Sequence, residues 1–130
     1  MPQIANVVLN NGTADKTFSV SLTKGNSHDA SWRDVTVSPA ICQPQMSVSY
    51  GITDARRNAR LKVSNPVLGV DTTGRSTKVG LVEVDIQLRA DLNATEAEIA
   101  AVLRTAANAI TNSAGNTVIA PVFYKGEALY

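Results

Sequence analysis

Four cations, Arg56, Arg57, Arg60 and Lys62, lie close together in the chain, preceded by the hydroxyls of Ser47 and Ser49. Long cations interleaved with small hydroxyls suit phosphate better than they suit a small neutral ligand. Further on, Glu83 and Asp85 stand two residues apart, a spacing that puts both carboxylates on one face of a strand. Such a pair could do acid–base work. The plainer reading, a solvated sheet face balancing Arg60 and Lys62, is preferred. His28, the sole histidine, falls in a polar loop with no cysteine or acid at metal-ligand spacing, and reads as a surface residue. Cys42, the sole cysteine, could be a nucleophile only if a basic group lowered its pKa; the preferred reading is a small half-buried side chain. Gly12, Gly51, Gly69, Gly74 and Gly80 lack the spacings of a phosphate-binding loop. No catalytic residue, metal ligand or cofactor is therefore expected.

The cations sit on a hairpin. Met46–Thr53 alternates strictly between apolar and small polar residues, and Arg60–Ser64 does the same. Period-two alternation means one buried and one open strand face. Met46, Val48, Tyr50, Ile52, Leu61 and Val63 belong to the buried face. Ser47, Ser49, Gly51, Thr53, Arg60, Lys62 and Ser64 belong to the open one, with Arg56 and Arg57 at the turn. That open face is either a polyanion-binding surface or simply a soluble turn and strand edge. The pattern alone leaves both standing.

Composition sets the limits. A chain of 130 residues, 44% hydrophobic and 18% charged, suits one domain with a modest core. Aromatic residues are few, so the core is expected to rest on Val, Ile, Leu and Ala and to need a partner's cover. The net charge of +1 excludes a globally basic nucleic-acid binder, but not a local patch. One cysteine allows no intrachain disulfide, which fits a reducing compartment. The amino terminus lacks a signal-peptide pattern, and no run is apolar enough to suggest a membrane helix.

In order, Ile4–Leu9, a turn at Asn10–Gly12 and Thr17–Leu22 read as an amino-terminal hairpin. Ala30–Val37 is a weaker third strand, interrupted by Arg33 and Asp34. After the central hairpin, Asn65-Pro66 is expected to end its second arm, and Leu68–Thr77 to form a Gly/Thr/Ser loop. Val82, Val84, Ile86 and Leu88 mark a long strand with Glu83, Asp85, Gln87 and Arg89 on its other face. Thr95 and Glu98 form a capping box. Ile99, Val102, Leu103, Ala106, Ala107 and Ile110 then recur at helical spacing. Asn112–Gly115 stops that helix. Pro121 leaves a short second helix or an extended tail both open. Strands first and helix last is an α+β arrangement. One helix stripe cannot cover such a sheet, so a second copy is expected to supply the rest.

This organisation resembles the coat proteins of single-stranded RNA bacteriophages, the levivirus-type family. The resemblance is carried by Ala30-Ser31-Trp32, Arg57–Val63, Asn93–Glu96 and the terminal Ala128-Leu129-Tyr130, in that order. It implies one coat-protein domain over 1–130: an amino-terminal hairpin over 1–23, an antiparallel sheet over 30–90 and a helical dimerisation region over 94–130. In that family a hairpin precedes a five-stranded sheet, and the helices of two interlocked chains cover it. The dimers build a small icosahedral shell, so the virion is the implied location. The partners implied are the chain itself and single-stranded RNA, a genomic hairpin whose binding also represses translation. Carried over by position, the RNA contacts are Ser47, Ser49, Arg60 and Lys62, with Asp85 a weaker candidate. Helix residues Ile99, Val102, Leu103 and Ala106 would lock the dimer. The base-stacking tyrosine of well-known members falls here on Glu83 or Leu81. The competing reading is a dimeric β-rich binding module that does not assemble.

Overall fold

The computed structural model describes residues 5–23, 29–111 and 118–126; His28, the Asn112–Gly115 stop and the terminal Ala128-Leu129-Tyr130 lie outside them. The chain divides into two compact units, Met1–Arg89 and Ala90–Tyr130. Six strands, β1 (Val7–Asn10), β2 (Asp15–Thr23), β3 (Asp29–Arg33), β4 (Gln45–Ile52), β5 (Arg56–Val70) and β6 (Ser76–Asp91), lie in one sheet in sequence order. The amino-terminal hairpin is thus continuous with the rest, because β2 pairs antiparallel with β3.

Each early turn has a local cause. Asn10 and Asn11 fold their side-chain oxygens back onto the backbone N–H groups of Gly12, Thr13 and Ala14, at 2.7 to 2.9 Å. Gly12 takes φ +92°, which a residue with a Cβ rarely adopts. The third strand is shorter than the sequence suggests. It ends at Arg33 because Asp34 turns inward, where its carboxylate accepts from the Thr36 N–H and hydroxyl.

The larger correction concerns β5 and β6. Asn65-Pro66 does not end the second arm; β5 runs on to Val70, and β6 starts at Ser76. Only 71–75 remain as the connection. β4 pairs with β5 no further than Ser64 in the registered ladder. Pro66 therefore falls beyond the last β4 partner, so its missing N–H takes no bond from the β4 ladder. The tip is held by Asp71, whose Oδ1 accepts from the Thr73 N–H (2.8 Å), the Thr73 hydroxyl (2.6 Å) and the Arg75 N–H (3.0 Å). These bonds hold its carboxyl below the usual range, the Thr73 hydroxyl most of all.

The core of the strand unit is small and more aromatic than composition implied. Phe18, Trp32 and Met46 are buried together, with Val7, Ala30, Val48, Leu61 and Val63 packed around them. Register explains the grouping: Phe18 faces Val7, and Val20, Trp32, Met46 and Val63 face one another in turn across β2 to β5. The Trp32 indole N–H finds the Ala5 carbonyl at 2.8 Å, so this ring buries without leaving its donor unpaired. Cys42 is 1% exposed, fully rather than half buried.

In the second unit, α1 (Glu96–Ile110) carries the expected capping box: Thr95 accepts from the Glu98 N–H, and Glu98 accepts from the Thr95 N–H. The Thr95 backbone N–H, first, and its hydroxyl hold the Glu98 carboxyl below its usual range. The open choice at Pro121 resolves to a short helix, α2 (Ile119–Lys125), with the proline in the first turn, where no intrahelical N–H is missed. It ends at Gly126 in the left-handed conformation, φ +67°. The two helices contact each other. No helix among the described residues is long and apolar enough to cross a membrane.

Because so few side chains are buried, truncating the central one should be costly. Trp32→Ala is expected to destabilise the fold by about 3 kcal/mol or more, read by urea unfolding followed by far-UV circular dichroism at fixed protein concentration. A loss under about 1 kcal/mol would show that the cluster does not anchor the sheet.

Candidate nucleic-acid interface

The polar face of the sheet is assembled row by row from the registers. Ser31 faces Ser47, and Ser47 faces Lys62. Lys62 reaches Glu83 on β6, Nζ to Oε1 at 3.2 Å. The next row runs Asp29, Ser49, Arg60, and Arg60 closes on Asp85. The five residues singled out for RNA contact are thus brought onto one face, in two adjacent rows. The three from β4 and β5 that lie nearest the rows' centre, Ser47, Ser49 and Lys62, are half-buried; Arg60 and Asp85 are exposed.

The ion pairs answer the question left by Glu83 and Asp85. They are spent on Lys62 and Arg60, as the plainer reading expects, and do not form a carboxylate pair free for acid–base work. Arg60 engages Asp85 with two nitrogens: Nε lies 2.9 Å from Oδ1 and 3.1 Å from Oδ2, and Nη2 also donates to Oδ2. This fork geometry is what distinguishes Arg from Lys at a carboxylate. It raises the Arg60 pKa, through the hydrogen bond first and charge second, and lowers that of Asp85 for the same leading reason. With side chains 50% and 33% exposed, the pair organises the face more than it stabilises the fold. The two central cations are therefore each paired with a carboxylate of β6.

At the β4–β5 turn end of this face lies an open depression of about 520 Å3, bordered by Ser49, Gly51, Asn58, Arg60, Gln87 and Arg89 among others. Sequence reasoning counted the cations of the turn but left Arg89 and Gln87 unused. The signal was present in the alternation of Glu83, Asp85, Gln87 and Arg89; only the register brings its last two members beside β5. No group of acids, histidine and cysteine able to hold a metal occurs among the described residues.

The residues expected to lock a dimer lie on α1, in the other unit. Val102 and Leu103 are 63% and 43% exposed, Ala106 is exposed and Ile99 half-buried; no residue of α1 is buried within the single chain.

The pairing of Asp85 with Arg60 has a pH signature. A carboxylate whose folded pKa is depressed contributes above its unfolded value, and that contribution is lost as pH falls through the folded one. The pair should therefore stay intact through the neutral range and open only in acid, below the ordinary 3.8 of the carboxyl. Carbon-13 NMR titration of Asp85 is expected to show a midpoint below that value, moving up in Arg60→Gln. An unchanged midpoint in the variant would show that Arg60 is not the cause.

No family model matches the sequence, and no curated protein does. Solved structures do match along the whole chain. The virus-like particle of Beihai levi-like virus 21 superposes with a TM-score of 0.79 at 20% identity, covering 99% of both chains. The virus-like particle of bacteriophage ESE058 gives 0.78 at 16% identity over 99% of this chain and 100% of the other. The bacteriophage GA protein capsid gives 0.65 at 18% identity over 91% and 92%. At these identities the likeness speaks for architecture: an antiparallel sheet followed by two helices, the α+β fold of the bacteriophage coat proteins.

Proposed function

We propose that this chain is a coat protein that dimerises and assembles into a closed shell around single-stranded RNA, and so resides in the virion. The end-to-end match to virus-like particles carries the reading, since it leaves almost no residue of either chain unaligned. Two features of the single chain support self-association. The apolar stripe of α1 is exposed, and so are Val82 and Val84 on the apolar face of β6. Exposed apolar surface on this scale marks an interaction site. In addition, β6 stands at the end of the strand order, so one of its long edges pairs with nothing in the described chain. Such an edge is a template for another strand. A second copy would meet all three demands, with Ile99, Val102, Leu103 and Ala106 in the helical part of the interface.

RNA would meet the polar face of β4 to β6. Lys62 and Arg60 would exchange Glu83 and Asp85 for phosphates, while Ser47 and Ser49 would sit near bases or sugars. Asp85 then acts as a competitor for Arg60, admitting only RNA that offers a well-placed phosphate in its stead. In this reading the chain also binds a genomic hairpin as packaging signal and translational repressor, without a base-stacking tyrosine at Glu83.

Size-exclusion chromatography and negative-stain microscopy of the purified chain are expected to show uniform particles with the 260/280 nm absorbance ratio of packaged RNA. A nucleic-acid-free dimer under all salt conditions would contradict assembly. Charge reversal, Arg60→Glu with Lys62→Glu, is expected to lower RNA content and flatten the salt dependence of binding; unchanged RNA content would remove the sheet face from the account. Val102→Glu with Leu103→Glu should abolish dimers, measured by light scattering.

A further inference from the structure

The chain holds one Asn-Gly dipeptide, Asn11-Gly12, and it sits at the tip of the β1–β2 hairpin, where residues 10–14 are all exposed. Asparagine before glycine is the pair most open to self-cyclisation. No side chain on the second residue hinders attack of its backbone nitrogen on the preceding carboxamide. Neither the core nor the polar face of β4 to β6 uses this turn. Its hydrogen bonds treat the two reacting groups in opposite ways.

The electrophile is activated. Asn11 Oδ1 accepts from the Thr13 and Ala14 N–H groups, both at 2.9 Å. Two backbone donors on a carbonyl oxygen stabilise the oxyanion that an addition step creates. The nucleophile is shielded. The Gly12 N–H donates to Asn10 Oδ1 at 2.7 Å, and Asn10 Nδ2 donates in turn to Asp15 Oδ1 at 2.9 Å. An amide nitrogen attacks only after losing its proton, and an N–H held by an acceptor loses it rarely. A Cβ on Gly12 would meet nothing within 4 Å, so the space beside the reacting bond is open. The Asn10 carboxamide, fixed by Asp15, is therefore the restraint on an otherwise prepared reaction.

We propose that Asn11-Gly12 is a latent site of self-deamidation, held back by Asn10. In the reaction hydroxide takes the Gly12 amide proton, and the nitrogen adds to Asn11 Cγ. The side-chain nitrogen takes up a proton from water and leaves as ammonia, and a cyclic succinimide remains. Water then opens the ring, at Cγ to give aspartate or at the Asn11 backbone carbonyl to give isoaspartate. One water enters, one ammonia leaves, and nothing is oxidised or reduced. The new carboxylate cancels the formal net charge of +1. In isoaspartate the main chain runs through Cγ, so the bonds to Thr13 and Ala14 cannot persist as they stand. β1 pairs with β2 over four residues only; it carries Val7 of the core and follows the Ala5 carbonyl that holds Trp32. Loosening the tip therefore reaches the core. The inference is independent of the RNA reading.

Peptide mapping by mass spectrometry, with isoaspartate told from aspartate by fragmentation, follows the full chain during incubation at neutral and mildly alkaline pH. The wild-type chain is expected to convert slowly at Asn11, and faster as pH rises, because hydroxide sets the supply of deprotonated amide. Asn10→Ala is expected to convert about fivefold faster, the worth of one hydrogen bond. Asp15→Ala, which leaves both asparagines but loosens Asn10, should give a smaller acceleration, about twofold. In concentrated urea, where the turn is gone, all three should convert at one rate, above that of the folded wild type. Equal rates for folded wild type and Asn10→Ala, or the same ratio kept in urea, would overturn the restraint by Asn10. Absence of conversion in folded Asn10→Ala would overturn the site itself. Hydrogen exchange of the Gly12 amide separates release of one N–H from a hairpin that has simply unfolded. Faster exchange in Asn10→Ala confined to Gly12 supports the restraint. If protection is instead lost throughout β1, Asp15→Ala decides, and no acceleration there overturns the proposal.

Discussion

The registration of β4, β5 and β6 governs everything on the polar face. Ser47 opposite Lys62 and Ser49 opposite Arg60 fix one side of β5, and the Lys62–Glu83 and Arg60–Asp85 pairs fix the other. A slip of one residue would send all of these side chains to the apolar face and bring Leu61 and Val63 out. The small cluster of Phe18, Trp32 and Met46 opposes such a slip, because Val63 sits opposite Met46 in the same register. Core and candidate interface are thus two faces of one constraint. The ion pairs add little stability at their exposure, yet they decide which cations are already engaged before any ligand arrives.

That distribution changes the electrostatic picture of a nearly neutral chain. Counting cations along the sequence makes Arg60 and Lys62 the natural phosphate ligands. In the folded chain each faces a carboxylate, so the proposed binding there would be an exchange rather than a capture. The exchange favours a ligand that offers several phosphates in fixed geometry over any isolated anion. Arg56 and Arg89 border the depression at the turn end of that face, beside Asn58 and Gln87.

Much of this was legible before any coordinates. Alternation marked the two faces of β4 and β5, and the Thr95–Glu98 spacing marked the capping box of α1, because each depends on local spacing alone; the expected balance of Glu83 and Asp85 against Lys62 and Arg60 took the pairing of β5 with β6 to realise. The lengths of β5 and β6 were not legible. Asn65-Pro66 reads as a strand end, but a proline is harmless where a strand has lost its partner on that side, and only the ladder shows that β4 stops at Ser64. The aromatic core was missed for a similar reason. Trp32 and Phe18 are far apart in sequence; the register from β2 through β3 to β4 joins Val20, Trp32 and Met46, and Phe18, two residues before Val20 on the same face, completes the cluster. The place of Arg89 beside Asn58 and Arg60 likewise needs the pairing of strands; periodicity on β6 alone shows only its face.

The central claim is that the polar face of β4 to β6 turns toward RNA inside a shell built from copies of this chain. Cryo-electron microscopy of the purified particles tests it most directly. The account predicts a closed shell whose inner surface carries Lys62 and Arg60, with nucleic-acid density against them and α1 packed against a second copy. A shell with that face turned outward, or with RNA density elsewhere and none over these two cations, would contradict it.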